Sequence, residues 1–319
     1  SRNDVLIRKS SHVFLLRLAA PIVTIALIAV IAMGVDKAAL VQAFSHVSES
    51  DLVLGLALVQ LQIMLSALRW RFTAGRLGQR INLNRAIGEY YVASLLNQSL
   101  PGGMAGDAIR AWRMRTADQG GWKLPAKAVL FERLSGQAAF FVLAACGIVA
   151  WPLLIGAHEP VRLHSVLPVM LACTVLALIG LMLAIRTNSF HRLTSLLPDL
   201  QQVFVKDRAW AVQIGLSLVI LATYLAIFLL ASGAIGAPLP MVAALTAIPL
   251  ALLAMLIPAG LGGWGTREAA AMALWPFLGA SAADGLAASL LYGALSLAGA
   301  APGILVLALP GFAVAGTKS

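Results

Sequence analysis

The sequence predicts an all-α polytopic membrane protein, an inverted-topology repeat with about six full spans and two re-entrant helical hairpins. Three observations carry that prediction. Of 319 residues, 60% are hydrophobic and 11% charged, with a mean hydropathy of +0.89, which is more apolar chain than a soluble domain of this size buries. Nearly continuous apolar blocks such as Ile22–Val35 and Ala243–Ile257 suit helices, whereas a membrane barrel alternates apolar and polar residues. Finally, the pattern Pro-x-Gly-x-x-Gly-x-x-x-Arg runs from Pro101 to Arg110 and again, 157 residues later, from Pro258 to Arg267. Corresponding Gly/Pro-interrupted apolar segments in two halves of a chain mark transporter architecture.

The elements follow in order. Arg2, Arg8, Lys9 and Arg17 precede an apolar run that, counted from Val13, is too long for the roughly 7–15 apolar residues of a signal peptide. It reads as an uncleaved first span with a cytoplasmic amino terminus. Full-length apolar segments lie at 13–35, 52–74, 128–155, 165–185, 209–232 and 285–310. Between them come two pairs of shorter pieces, 86–100 with 105–116 and 242–257 with 264–279. At 1.5 Å per residue such a piece reaches about 22 Å, short of a hydrocarbon core of about 30 Å. Each pair therefore reads as a hairpin that enters and leaves by one face, over 86–116 and 242–279. The whole chain, 1–319, forms one membrane domain, with a first repeat over 13–155 and a second over 165–312.

Charge sets the orientation. Arg69, Arg71, Arg76, Arg80 and Arg85 follow the second span, and Arg113, Arg115, Lys123 and Lys127 follow the first hairpin, so both regions belong to the cytoplasmic side. The connector from Gly233 to Pro240 carries no charge and belongs outside, so the second hairpin enters from the opposite face. The offset agrees: moved by 157, segments 52–74, 86–116 and 128–155 fall on 209–231, 243–273 and 285–312.

The repeated pattern is the candidate site. Pro101 and Pro258 stop the incoming helix, and Gly102, Gly103, Gly106, Gly260, Gly262, Gly263 and Gly265 let the chain turn and expose amide groups at a helix start that attracts phosphate. Arg110 and Arg267 stand one turn into the second half-helices, where guanidinium groups either clamp a headgroup phosphate or pair with Asp107 and Glu268. Glu132 and Arg133 open the following span, to join that site or cap a helix. Glu89, Asn97 and Gln98 punctuate the first half-helix, as headgroup ligands or as interhelical hydrogen bonds. Tyr292 lies in the last span. Trp112, Trp264 and Trp275 read as interfacial anchors, and Cys146 and Cys173 as packing residues.

Four ordered landmarks, Asn97-Gln98-Ser-Leu-Pro101 through Gly106-Asp107 to Arg110, then Glu132-Arg133, then Pro258 to Arg267-Glu268, and finally Leu291-Tyr292 before Pro302-Gly303, resemble the flippase-like membrane domain of lysylphosphatidylglycerol synthases. The resemblance covers most of the chain and implies a membrane fold that handles lipid, located in the bacterial inner (plasma) membrane. Bifunctional members add a soluble aminoacyl-transferase domain. This chain ends within about ten residues of its last span, giving the expectation of a stand-alone member without lysyl transfer.

The expected function is movement of an anionic or aminoacylated phospholipid, or of a polyprenyl-phosphate lipid, between leaflets through a polar cavity between the hairpins. The alternative is an integral-membrane transferase acting on a lipid-linked sugar or headgroup. No catalytic residue, metal or cofactor is expected: the five histidines are scattered, and the Gly102–Gly106 cluster lacks the lysine of an ATP site. The formal charge of +10 suits anionic lipid and topology, and gives no ground for nucleic-acid binding.

Overall fold

The structure is a computed structural model that describes residues 37–100, 103–115, 121–154, 196–256 and 262–308. Within these residues the regular elements are helices, without strands. They are α1 (Lys37–Ser45), α2 (Glu49–Arg76), α3 (Leu83–Ser99), α4 (Ala105–Arg113), α5 (Lys123–Leu154), α6 (Leu197–Phe204), α7 (Ala209–Ala234), α8 (Ala247–Leu253), α9 (Thr266–Leu274), α10 (Ala282–Ala300) and α11 (Pro302–Ala308). Four stretches are long and apolar enough to cross a membrane: Glu49–Arg76, Lys123–Ala150, Lys206–Ala234 and Ala282–Ala308. Two further expected spans, 13–35 and 165–185, lie outside the described residues.

Local chemistry fixes several ends. Ser48 and Ser281 each accept the amide of the residue three positions on, Asp51 and Asp284, whose carboxylates accept the serine amides in return, so α2 and α10 start on reciprocal caps. Asn82 caps α3 in the same spirit, its side chain accepting from the Asn84 amide. The second span, expected over 52–74, already takes in Arg69 and Arg71, which the charge reading placed after it. Helix α2 continues to Arg76, so Arg69 is a buried intrahelical residue rather than part of a cytoplasmic loop.

The 157-residue offset recurs in the elements. It carries 49–76 onto 206–233, where a 3-10 turn (Lys206–Arg208) leads into α7, and 83–99 onto 240–256, where α8 lies between 3-10 turns at Met241–Ala244 and Ala254–Leu256. Contacts give the directions. Gly55 lies by Leu230, Gln62 donates to Thr223, and Gln213 donates to Thr73, so α2 and α7 run antiparallel. Gly55 and Val59 meet Leu295 and Gly299, so α10 runs parallel to α2; Ser135 and Phe140 meet Ser217 and Tyr224, so α5 runs parallel to α7.

Two helix breaks lie at the centre. Helices α3 and α4 fold against each other so closely that a Cβ on Gly106 would stand 2.1 Å from the Ala93 carbonyl oxygen. The second break turns through Gly262, Gly263 and Gly265, at φ of 55°, 85° and 91°, backbone that glycine alone adopts freely. The two breaks meet: Gly262 packs on the Gln98 backbone, and its Cα is 3.9 Å from where a Gly103 Cβ would sit. Pro101, Gly102, Pro258 and Gly260 lie outside the described residues. Trp275, expected at an interface, is fully buried, with its indole N–H donating to Ser232 at 3.3 Å, while Trp112 is exposed. Cys146, expected in packing, is exposed, and Cys173 lies outside the described residues.

Candidate functional site

A cavity of about 240 Å³ opens beside the meeting breaks. Its wall includes Gln62 of α2, Gln137 of α5, Leu221 of α7 and Tyr292 of α10, each near the middle of its span, so the cavity lies at half height of all four. Arg69, Arg133, Arg267, Asp107 and Glu132 reach it as charged groups. Charge at that depth is expensive unless paired or in use.

The first cluster joins five helices, α2, α3, α4, α5 and α7. Arg69 Nη2 donates to Glu132 Oε1 at 2.6 Å and its Nη1 to Ser217 Oγ at 3.2 Å. The Tyr90 hydroxyl donates to the same Glu132 oxygen at 3.2 Å. Arg110 Nη2 donates to Asp107 at 2.7 Å and Glu132 at 3.2 Å. Arg133 pairs with Asp107 and donates to the Gly103 carbonyl at 3.0 Å, which ties this guanidinium to the first break. Asn97 completes the group: its amide donates to Asp107 at 3.0 Å while its Oδ1 accepts the Gly106 amide at 2.8 Å.

The second cluster is local. Arg267 Nη2 donates to Glu268 Oε1 at 2.6 Å, its Nε donates to Ser289 at 2.8 Å, and Ser289 donates to Glu268 at 2.9 Å. Glu268 Oε2 accepts the Gly265 amide. Trp264 and Tyr292 rings each stand 5.0 Å from the Arg267 guanidinium carbon, and Tyr292 stacks on Phe228 with centroids 4.7 Å apart.

The expected residues thus separate. Asp107, Glu132, Arg133, Asn97, Gln98, Arg267, Tyr292, Gly103 and Gly262 border the cavity. Arg110 stands behind the wall, fully buried between the Trp70 and Tyr90 rings at 4.4 and 4.5 Å, and its Nε and Nη1 have no hydrogen-bond partner among the described residues. The pairing alternative describes its geometry. Glu268 is spent on Arg267 and Gly265, and Glu89 sits apart, paired with Arg113 at 2.8 Å and Arg85 at 2.9 Å. The amides expected to attract an anion are taken in part by the protein's own side chains, Gly106 by Asn97 and Gly265 by Glu268, which leaves guanidinium groups as the main anion donors.

Arg69, Gln62, Ser217 and Tyr224 reach the cavity without having been singled out. A signal existed: Gln62, Ser66, Arg69 and Thr73 form a stripe at helical spacing on an otherwise apolar span, and all four are buried.

Among curated proteins the comparison found no match. A family-level comparison is positive: the sequence model described as the lysylphosphatidylglycerol synthase TM region matches residues 17–303. That match takes in all four candidate spans but for the final residues of the last, both breaks and every cavity residue, and with the apolar helices it makes this an integral membrane protein with a lipid-related role. The chain therefore belongs to the family of lysylphosphatidylglycerol synthase transmembrane regions.

Proposed function

We propose that the protein moves a lipid with an anionic headgroup between leaflets, acting as a transporter rather than an enzyme. The supporting observation is the meeting of two helix breaks, Gly103 against Gly262, beside a charged cavity at half height of four spans. A cavity of about 240 Å³ holds a phosphate and a small substituent and leaves acyl chains in lipid. Arg69 and Arg133, already within hydrogen-bond reach of carboxylates, exchange those partners for phosphate oxygens, a charge-assisted bond of similar kind. The antiparallel pairing of α2 with α7, two elements related by the offset, supports an inverted repeat in which each break belongs to a re-entrant hairpin, with alternating access by rocking of the halves. The basic residues at the carboxyl end of α2 support a cytoplasmic amino terminus, and a bacterial inner membrane is the setting proposed.

The test uses purified protein in liposomes carrying acyl-labelled fluorescent lipids, scored by accessibility to an external quencher. Protein-dependent quenching of the inner-leaflet half is expected. Headgroup transfer chemistry without leaflet exchange refutes the proposal in favour of a membrane transferase.

A further inference from the structure

The two clusters are unequal in charge and in reach. Under the 157-residue offset Arg110 corresponds to Arg267, but Arg69, Asp107, Glu132 and Arg133 correspond to Ala226, Trp264, Ser289 and Leu290. The second half therefore brings one arginine, and Glu268 beside it cancels the charge. In the first half three arginines, Arg69, Arg110 and Arg133, meet two carboxylates, Asp107 and Glu132. Counted over both clusters, four cations against three anions leave one positive charge at the cavity. Among the described residues no carboxylate other than Asp107 and Glu132 borders the cavity to balance it. The remaining nearby ionic group, Glu89 with Arg85 and Arg113, does not border the cavity.

An unbalanced charge at half height of a membrane is costly, and a bound ligand of opposite charge removes that cost. We infer that the site takes a phosphodiester lipid of net charge −1, with an uncharged remainder to its headgroup, and that the phosphate is held by the first half through Arg133 and Arg69 rather than clamped between Arg110 and Arg267. Arg133 is the entry contact. Its side chain is 24% exposed whereas those of Arg110 and Arg267 are 0% and 1% exposed, and it alone of the three donates to break backbone, at Gly103. A zwitterionic headgroup leaves the positive charge in place, and a phosphomonoester dianion reverses it. Both are disfavoured. The inference rests on the translocation proposal for the identity of the site, but its selectivity is a binding property.

The experiment measures lipid binding by the full chain in uncharged detergent, by native mass spectrometry, against phosphatidylglycerol, phosphatidylethanolamine and phosphatidic acid of matched acyl chains, alongside the exchange assay. We expect phosphatidylglycerol to be preferred over phosphatidylethanolamine by about tenfold or more, a modest share of what a unit charge within about 4 Å contributes. Arg133→Gln, which brings the count to zero, reduces that ratio to near one, and Arg133→Lys keeps it. Equal binding of all three lipids by the wild type, or an unchanged ratio in Arg133→Gln, overturns the inference even if exchange is intact. Selective binding without exchange supports the inference and refutes translocation.

Discussion

Arg110 shares its place in the repeated pattern with Arg267, yet its surroundings predict a structural role that replacement by alanine exposes. The guanidinium is fully buried, bonded through one nitrogen to Asp107 and Glu132, with the Trp70 and Tyr90 rings 4.4 and 4.5 Å from its carbon. Removing one partner of a buried ion pair costs about 3–5 kcal/mol. The lower end applies, because Asp107 keeps Arg133 and Asn97, and Glu132 keeps Arg69 and Tyr90. Loss of two desolvated cation–π contacts adds to that, so Arg110→Ala is expected to cost about 3 kcal/mol or somewhat more. At an unfolding entropy of about 2.1 cal/mol/K per residue, a chain of 319 residues shifts by about 1.5 °C per kcal/mol, so the midpoint of thermal unfolding falls by about 4–5 °C. Arg133→Ala removes a guanidinium that is 24% exposed and leaves Asp107 with Arg110 and Asn97, so it is expected to cost less than Arg110→Ala while abolishing lipid exchange. Intrinsic tryptophan fluorescence during heating in detergent, run beside the liposome assay, reads both effects. An Arg110→Ala protein with wild-type thermal stability and no exchange refutes the reasoning, since Arg110 then acts on the lipid itself.

Other changes test the fold. Gly106→Ala places a methyl 2.1 Å from the Ala93 carbonyl oxygen and is expected to cost about 3 kcal/mol by overpacking, whereas Gly75→Ala, with open space around it in α2, stabilises by about 0.5–1 kcal/mol; thermal unfolding separates them. Trp275→Phe leaves the Ser232 hydroxyl without its indole donor and opens space beside Phe228, for a loss of about 1–2 kcal/mol in the same measurement. Gln62→Cys with Thr223→Cys, bridged by a short cleavable thiol reagent, is expected to stop lipid exchange and to regain it on reduction, and exchange that persists while the bridge is intact refutes rocking of the halves.

The all-helical membrane class and four of the expected spans were legible in the sequence, as were several residues that border the cavity. Long apolar runs are visible as composition because the bilayer allows few alternatives to a helix, and the Pro/Gly breaks are visible because proline and glycine act on their own backbone. Asp107 and Arg110 lie three residues apart on one helix, so their pairing was available from spacing. Side-chain destinations across elements were not. The polar stripe of Gln62, Ser66 and Thr73 sets Arg69 apart from Arg71 but names no partner: the first turns inward to Glu132, 63 positions along the chain, and the second donates to the Ile81 carbonyl. Whether Arg110 faces lipid headgroup or two aromatic rings depends on Trp70, which an apolar span conceals among similar residues.

The distribution of polar bonds is compatible with the rocking proposed for the two halves. Every buried ion pair among the described residues stays within one half: Arg69, Arg110 and Arg133 with Glu132 and Asp107, Arg113 and Arg85 with Glu89, and Arg267 with Glu268. Between the halves the buried and part-buried polar contacts include the neutral bonds Gln62 to Thr223, Gln213 to Thr73, Ser135 with Ser217 and Gln60 to the Gly299 carbonyl, and charge-assisted bonds from Arg69 to Ser217 and from Arg76 to the Gln202 carbonyl. Ion pairs that do cross, Arg76 with Asp207 and Lys127 with Asp199, include exposed or half-exposed carboxylates, where water replaces a lost partner. A neutral hydrogen bond contributes about 0.5–1.5 kcal/mol net, against several for a buried ion pair. In the proposed transport cycle each half keeps its ion pairs, and the polar bonds to be exchanged between the halves are mostly uncharged, beside the apolar contacts they share. An arrangement that placed Glu132 and Arg69 on opposite halves would have the same net charge, but its charges would resist the opening that the proposed transport requires.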